Sequence, residues 1–188
     1  MSWTDNLAIT MGTLVVWGFL MAFCLNVFLR VISATKDNYL VFVGLVMFLS
    51  YYFSDLFHDL NAGPEIYLTW FVYDIGTLIA VLSPLAFFRL RIRAPIIYIY
   101  IGLVINAILF LAMYIDMYIL STSEPWMLWH IYSFTVNVID YGMIVTLIIG
   151  KDWLGLARLA RFIKGKVRAK KAALAVKNKG SSHSLLQA

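Results

Sequence analysis

The chain has 188 residues; 62% of them are hydrophobic, only 13% are charged, and the mean hydropathy is +0.84. Soluble single domains do not have this composition, so the sequence predicts an integral membrane protein. The formal net charge is +5, but 10 of the 15 Lys and Arg fall between Lys151 and Lys179. This placement favours contact with a membrane surface over specific binding of nucleic acid. The single cysteine, Cys24, excludes an intrachain disulfide framework and a CxxC metal site.

Five apolar segments are each long enough to cross a bilayer as a helix. In chain order they are predicted at about 7–32, 39–60, 66–88, 95–120 and 126–150. Met1 to Asn6 lacks the positive charge of a cleaved signal peptide, so the first segment is expected to remain as a span. The fold class predicted is therefore an all-α, five-helix transmembrane bundle.

The basic residues define an orientation for these five spans. All 15 Lys and Arg lie in the loops 33–38 and 89–94 or at or beyond the ends of spans that lead into these loops and the tail. Acidic residues mark the opposite side, namely Asp5, Asp59, Glu65 and Glu124. The positive-inside rule then places the N-terminus outside and the C-terminus in the cytoplasm. This pattern predicts a multi-pass protein of a cell membrane, and a bacterial inner membrane is the expected location.

The predicted bundle comprises residues 1–150. The chain that follows it has a different composition from the bundle. Residues 151–179 combine apolar positions at three- and four-residue steps with many cations, which predicts a basic amphipathic helix on the cytoplasmic side. Its candidate contacts are Trp153, Arg158, Arg161, Lys164 and Arg168. Anionic lipids of the inner leaflet are the expected partner, with a cytoplasmic protein as the alternative. Residues 180–188 are predicted to be disordered. The bundle itself is expected to be a homo-oligomer or a subunit of a membrane complex.

Ionisable side chains within the spans are the candidate functional residues, because a charge near the bilayer centre costs at least about 2.5–3.5 kcal/mol. They are Asp55, His58, Asp74, Asp116, His130 and Asp140. Asn106 and Asn137 share helix faces with Asp116 and Asp140. Most of the set falls in the outer halves of the spans and includes no Lys or Arg. The pattern predicts an acidic pocket that opens outward.

An acidic pocket without bases favours a bound cation or a proton, as in a small channel, a transporter-like subunit or a sensor. The residues assigned to it are Asp55, Asp74, Asp116, Asp140, Asn106 and Asn137. The plainer alternative is that these side chains form hydrogen bonds between helices, each contributing about 0.6 kcal/mol.

Three further alternatives use the same part of the chain. Ser54, His58 and Asp74 resemble part of the Ser-His and Asp pattern of the progestin-receptor and alkaline-ceramidase superfamily, which implies a zinc-dependent membrane hydrolase with His130 as a further ligand. That family has seven spans and a closing His-x-x-x-His pair, whereas Phe134 stands four positions after His130 here. His58 and His130 also suit the axial ligands of a haem. Finally, the five-span architecture resembles the emopamil-binding and sigma-2 receptor group, which implies a sterol or lipid pocket.

Overall fold

The computed structural model describes residues 3–34, 37–58, 65–88, 93–121 and 126–150, together with Gly155, Phe162 and Lys166. These residues contain α1 (Trp3–Val31), α2 (Asn38–His58), α3 (Glu65–Phe88), α4 (Ala94–Tyr114), a π-helical turn (Ile115–Ile119) and α5 (Met127–Ile149). Five helices are long and apolar enough to cross a membrane, and the described residues include no strand. The all-helical class and five helices of membrane-spanning length and apolarity are confirmed, with bounds that differ by a few residues from those predicted.

Two helix boundaries follow directly from the local sequence. Pro95 occupies the first turn of α4, where its missing N–H would have no helical partner in any case. Gly150 follows α5 with a φ of 67°, a left-handed conformation that favours glycine, and its N–H donates to the Thr146 carbonyl at 2.9 Å. Gly150 therefore ends α5 immediately before the basic segment begins.

The five helices form a closed ring in chain order. Each of α1, α2, α3 and α4 packs against the next helix, and α5 returns to pack against α1. A smaller contact joins α2 and α4 across the ring. At Gly102 of α4, an added Cβ would meet the Met143 side chain at 2.5 Å, so the glycine allows α4 and α5 to approach closely.

The surface of the ring is apolar on every helix. Large hydrophobic side chains are more than half exposed on each of the five, as shown by Trp17, Leu56, Val72, Ile108 and Phe134. Continuous apolar exposure of this extent is unusual for a soluble monomer. The interior, in contrast, contains buried Asn and Asp side chains.

The two ends of the bundle carry different charges. We call the end with the termini Val31, Asn38, Phe88, Ala94 and Ile149 the basic end, and the end with His58, Glu65, Ile119 and Met127 the acidic end. Near the basic end, Arg93 Nε lies 2.7 Å from Asp37 Oδ2, and Arg30 Nε donates to Asn38 Oδ1 at 2.5 Å. These contacts fix the chain where α2 and α4 begin.

The chain divides into two compact units, Met1–Lys151 and Asp152–Ala188. Only three residues of the second unit are described, and there Lys166 Nζ lies 4.7 Å from the centre of the Phe162 ring. The predicted tail contacts, Trp153, Arg158, Arg161, Lys164 and Arg168, lie outside the described residues. So does the predicted disordered end, 180–188.

Candidate cation site

Three helices bring polar side chains together in the interior of the bundle. Tyr51 of α2 donates its hydroxyl to Asp140 Oδ1 of α5 at 2.6 Å. Asn106 of α4 donates an amide hydrogen to the same oxygen at 2.7 Å and a longer bond to the Tyr51 hydroxyl at 3.4 Å. One carboxylate oxygen thus accepts two short hydrogen bonds, as an ionised carboxyl does in proteins.

A fourth helix, α3, adds Asp74 and Thr77 to this cluster. Asp74 is only 6% exposed and lies close enough to Asp140 and Tyr51 for electrostatic interaction. Thr77 donates its hydroxyl to the Tyr73 carbonyl, so the contact between Ser50 and Thr77 uses the Ser50 hydrogen. Neither hydroxyl therefore retains a hydrogen for the Asp74 carboxyl.

Hydrogen-bond acceptors outnumber donors in this group. Asp74 Oδ2 and Asn106 Oδ1 are both buried and have no hydrogen-bond partner among the residues that the structure describes. The Tyr51 hydroxyl and the Asn106 amide already donate within the cluster. Because an unmatched buried acceptor costs roughly 1–3 kcal/mol, the cluster requires an additional donor or a positive charge. We call Ser50, Tyr51, Asp74, Thr77, Asn106 and Asp140 the central polar cluster.

The central polar cluster lies far from the basic ends of its helices. Tyr51, Asp74, Asn106 and Asp140 stand nine to fourteen residues from these ends, which corresponds to roughly 14–21 Å along a helix. In a hydrocarbon core about 30 Å thick, such a position is close to the middle. The carboxyls of the cluster therefore lie near the middle of the helices that carry them.

Asp116 occupies a separate site at the acidic end. Its Oδ2 accepts hydrogen bonds from the indole nitrogens of Trp126 and Trp129, each at 3.0 Å. Asp116 lies in the π-helical turn after α4 and is 4% exposed. Its carboxylate links the end of α4 to the start of α5, and the two indole donors satisfy it locally. We call Asp116, Trp126 and Trp129 the indole clasp.

The other predicted site residues do not join the central polar cluster. Asp55 is exposed and lies one turn beyond Tyr51 towards the acidic end, with its Oδ1 near Gly12 of α1. Asn137 donates to the Ser133 carbonyl of its own helix. The structure therefore brings together Asp74, Asn106 and Asp140 from the predicted pocket and places Asp55, Asp116 and Asn137 elsewhere.

The predicted metal ligands are not grouped in the described part of the chain. His130 is exposed on α5, and the His58 side chain, at the end of α2, lies outside what is described. No group of three or more His, Cys, Asp or Glu able to hold a metal ion occurs among the described residues. Ser50, Tyr51 and Thr77 are the cluster residues absent from the predicted site. Tyr51 shares a helix face with Asp55 in the sequence, but that spacing does not reveal its bond to Asp140.

Comparison of the chain with protein-family models, curated proteins and solved structures found no match. The function is therefore argued from the central polar cluster itself.

Proposed function

We propose that this protein is a multi-pass protein of the cell membrane with its basic end in the cytoplasm. The five apolar helices and the collection of Lys and Arg at one end support this orientation. The acidic end then faces outward. The basic segment after Gly150 would lie at the inner surface, where each cation near anionic lipid contributes about 1 kcal/mol.

We further propose that the central polar cluster binds a proton or a hard monovalent cation. The observation that carries this proposal is the pair of buried acceptors without donors, Asp74 Oδ2 and Asn106 Oδ1. Burying an ionised carboxylate without a partner is so costly that the group takes up a proton or a counter-ion instead. Asp140 already has two donors, so Asp74 is the residue at which the added positive charge is required.

The donor atoms define the chemical class of the ligand. Every potential ligand atom of the central polar cluster is oxygen: carboxylates from Asp74 and Asp140, an amide carbonyl from Asn106, and hydroxyls. Oxygen donors suit hard cations, whereas zinc and haem iron prefer nitrogen and sulfur. A cation-dependent sensor, channel or transporter-like subunit fits this chemistry better than the hydrolase or haem alternatives.

The test is labelling of the purified full chain with dicyclohexylcarbodiimide, to which protonated carboxyls in apolar surroundings add. Mass spectrometry of peptides should locate the adduct on Asp74, and acid should accelerate its formation. Protection by Na⁺ or K⁺ at fixed pH would identify a metal cation as the ligand, while dependence on pH without protection would identify a proton. Asp116 serves as an internal control, because its carboxylate is held by two indoles and should label slowly. A constant rate at Asp74 across pH and cation concentration would refute the site.

A further inference from the structure

The buried apolar side chains are distributed unequally along the bundle. The core between the central polar cluster and the basic end contains residues that are at most 1% exposed on α2, α3, α4 and α5. Six of them form what we call the inner plug: Val43, Met47, Val81, Ile99, Leu103 and Leu147. Met47 lies one turn from Tyr51, and Leu103 lies about one turn from Asn106. The inner plug therefore begins directly beneath the cluster.

In the opposite half of the bundle, the described residues of three helices are less buried. In the described residues of α2 after Tyr51, of α3 before Asp74 and of α5 before Asp140, no side chain is fully buried. Burial on this side is supplied by α4, through Ala107, Phe110 and Met113, and by Val15 of α1. Among the described residues, α2, α3 and α5 thus contribute no fully buried side chain between the cluster and the acidic end.

Aromatic rings cover part of this half. Tyr67, Trp70, Phe110 and Tyr132 form a closed group between α3, α4 and α5, with ring centres 5.4–5.9 Å apart. Trp70 and Phe110 each lie one turn from a cluster residue, Asp74 and Asn106 respectively. This group covers the cluster on the side of α3 and does not extend to the side of α1 and α2.

Gly12 and Asp55 lie on that second side. A Cβ at Gly12 would stand 3.7 Å from Asp55 Oδ1, so this glycine of α1 lies beside the Asp55 carboxylate. Asp55 is exposed, and one helical turn separates it from Tyr51 on the same face of α2. Tyr51 in turn bonds to Asp140. Polar groups therefore continue from the acidic end to the cluster.

We infer that the central polar cluster exchanges its proton or cation with the acidic side only, along Asp55 and Tyr51, and that the inner plug closes the basic side. This inference rests on the proposed function and adds a direction of access to it. A small cation needs polar partners or water along its path, which fully packed apolar side chains do not supply. The buried polar side chains on the basic side, Asn26 and Thr146, donate to backbone carbonyls of their surroundings. In the described conformation, occupancy of the cluster would thus follow the proton or cation concentration on the acidic side.

The groups around the cluster are consistent with one-sided access. Among the described residues, Tyr51 and Tyr132 interact electrostatically with both Asp74 and Asp140, and the two carboxyls interact with each other. The helix α1 contributes the Phe19 ring, whose centre lies 4.6 Å from that of Tyr51. Phe19 is fully buried, so it extends the apolar closure to α1.

The test uses sealed membrane vesicles of both orientations, with the pH set separately on each side. Dicyclohexylcarbodiimide crosses membranes, so the labelling rate at Asp74 reports the protonation of the residue rather than access of the reagent. While Asp74 is mostly ionised, we expect the rate to rise about tenfold for each unit of acidification on the acidic side. Acidification of the basic side should change it less than about twofold. Protease cleavage of the basic tail identifies the orientation.

Two sets of variants test the path and the plug. Asp55→Asn should slow the response of Asp74 to a pH step on the acidic side several-fold without changing the final extent of labelling. Glu65→Gln, which removes an exposed carboxylate at the same end, is the matched control and should respond as the unaltered protein does. The near-isosteric double variant Val43→Thr, Val81→Thr should make labelling respond to the basic side.

The outcomes separate the two proposals. A rate that follows the basic side, or both sides equally, would overturn one-sided access while leaving the site intact. A rate that ignores pH and cations on both sides, and in detergent, would overturn the site itself. A response in Asp55→Asn as fast as in the Glu65→Gln control would remove Asp55 from the path.

Discussion

The substitution Asp74→Asn tests the donor deficit of the central polar cluster by its effect on stability. Asparagine keeps the size of the side chain, removes the charge and supplies two N–H donors to a group in which acceptors are in excess. The unmatched Oδ2 costs roughly 1–3 kcal/mol, and interhelical hydrogen bonds in membranes contribute about 0.6 kcal/mol each. At pH values that leave Asp74 ionised and without cations, we expect the variant to be about 1 kcal/mol more stable.

A bound cation should reverse the order of stability of the two proteins. Binding to the folded state adds RT ln(1 + [L]/Kd), which is about 2.7 kcal/mol at a ligand concentration of 100 Kd. The unaltered protein should therefore exceed Asp74→Asn by nearly 2 kcal/mol at that concentration. With RT of about 0.6 kcal/mol, a 1 kcal/mol difference is cancelled at about four times Kd, where the two stability curves should cross.

The assay is unfolding in mixed micelles, followed by tryptophan fluorescence, over a series of NaCl and KCl concentrations at constant ionic strength. Choline chloride supplies the balance of the salt, which separates specific binding from screening. A variant that is less stable than the unaltered protein without cations would show that Asp74 makes a favourable bond. A variant whose stability rises with Na⁺ or K⁺ as steeply as that of the unaltered protein would place the site elsewhere. For a proton ligand, the same crossing should appear on acidification.

Three other predictions follow from the structure and the proposed orientation. Cysteine probes in the segments 61–64 and 121–125 should react with an impermeant maleimide added to intact cells, whereas probes at 33–37 should not; the opposite pattern would refute the proposed orientation. Asp116→Ala should destabilise the bundle by about 1–3 kcal/mol, because two indole donors lose their acceptor, while the cation dependence of unfolding persists. Truncation after Gly150 should leave the bundle folded but weaken its association with anionic vesicles relative to neutral ones, measured by flotation; equal flotation of the full and truncated chains would refute surface binding by the tail.

The elements of the bundle could be predicted because each depends on local composition. A span needs about 20 apolar residues, and Pro95 and Gly150 stand at helix boundaries for reasons of backbone conformation and hydrogen bonding. The closed ring could not be predicted in the same way. The approach of α4 to α5 at Gly102, for instance, depends on Met143 some 40 residues later, and no local pattern marks that pairing.

The residue types of the candidate site could be predicted from the sequence, but their arrangement in space could not. Four span carboxyls and two asparagines suggested a single pocket, because charge in a bilayer must face the interior. The structure assigns two of the carboxyls to the central polar cluster and one to the indole clasp, while Asp55 is exposed. What separates Asp116 from Asp74 is the position of the tryptophans at the start of α5, ten and thirteen residues further along the chain. Helical spacing within one span does not contain that information.

The distinction between a satisfied and an unsatisfied carboxyl also separates packing from binding. Asp116 has two donors at 3.0 Å, so a structural role accounts for its charge. Asp74 lies beside Asp140 with a buried oxygen that no described residue matches, and an interior bond between helices would be made at lower cost by Asn or Thr.

If a proton were held permanently, Asp74 would act as a neutral hydroxyl donor, with the unmatched Asn106 Oδ1 as an acceptor within the same cluster. Asparagine, which also donates a hydrogen bond, would then replace Asp74 with little loss of stability. Neither cations nor pH would change the difference in stability between the variant and the unaltered protein. A difference that changes sign with cation or proton concentration requires a partner that leaves and returns. Reversible occupancy is therefore the property that distinguishes a binding site at Asp74 from a buried hydrogen bond.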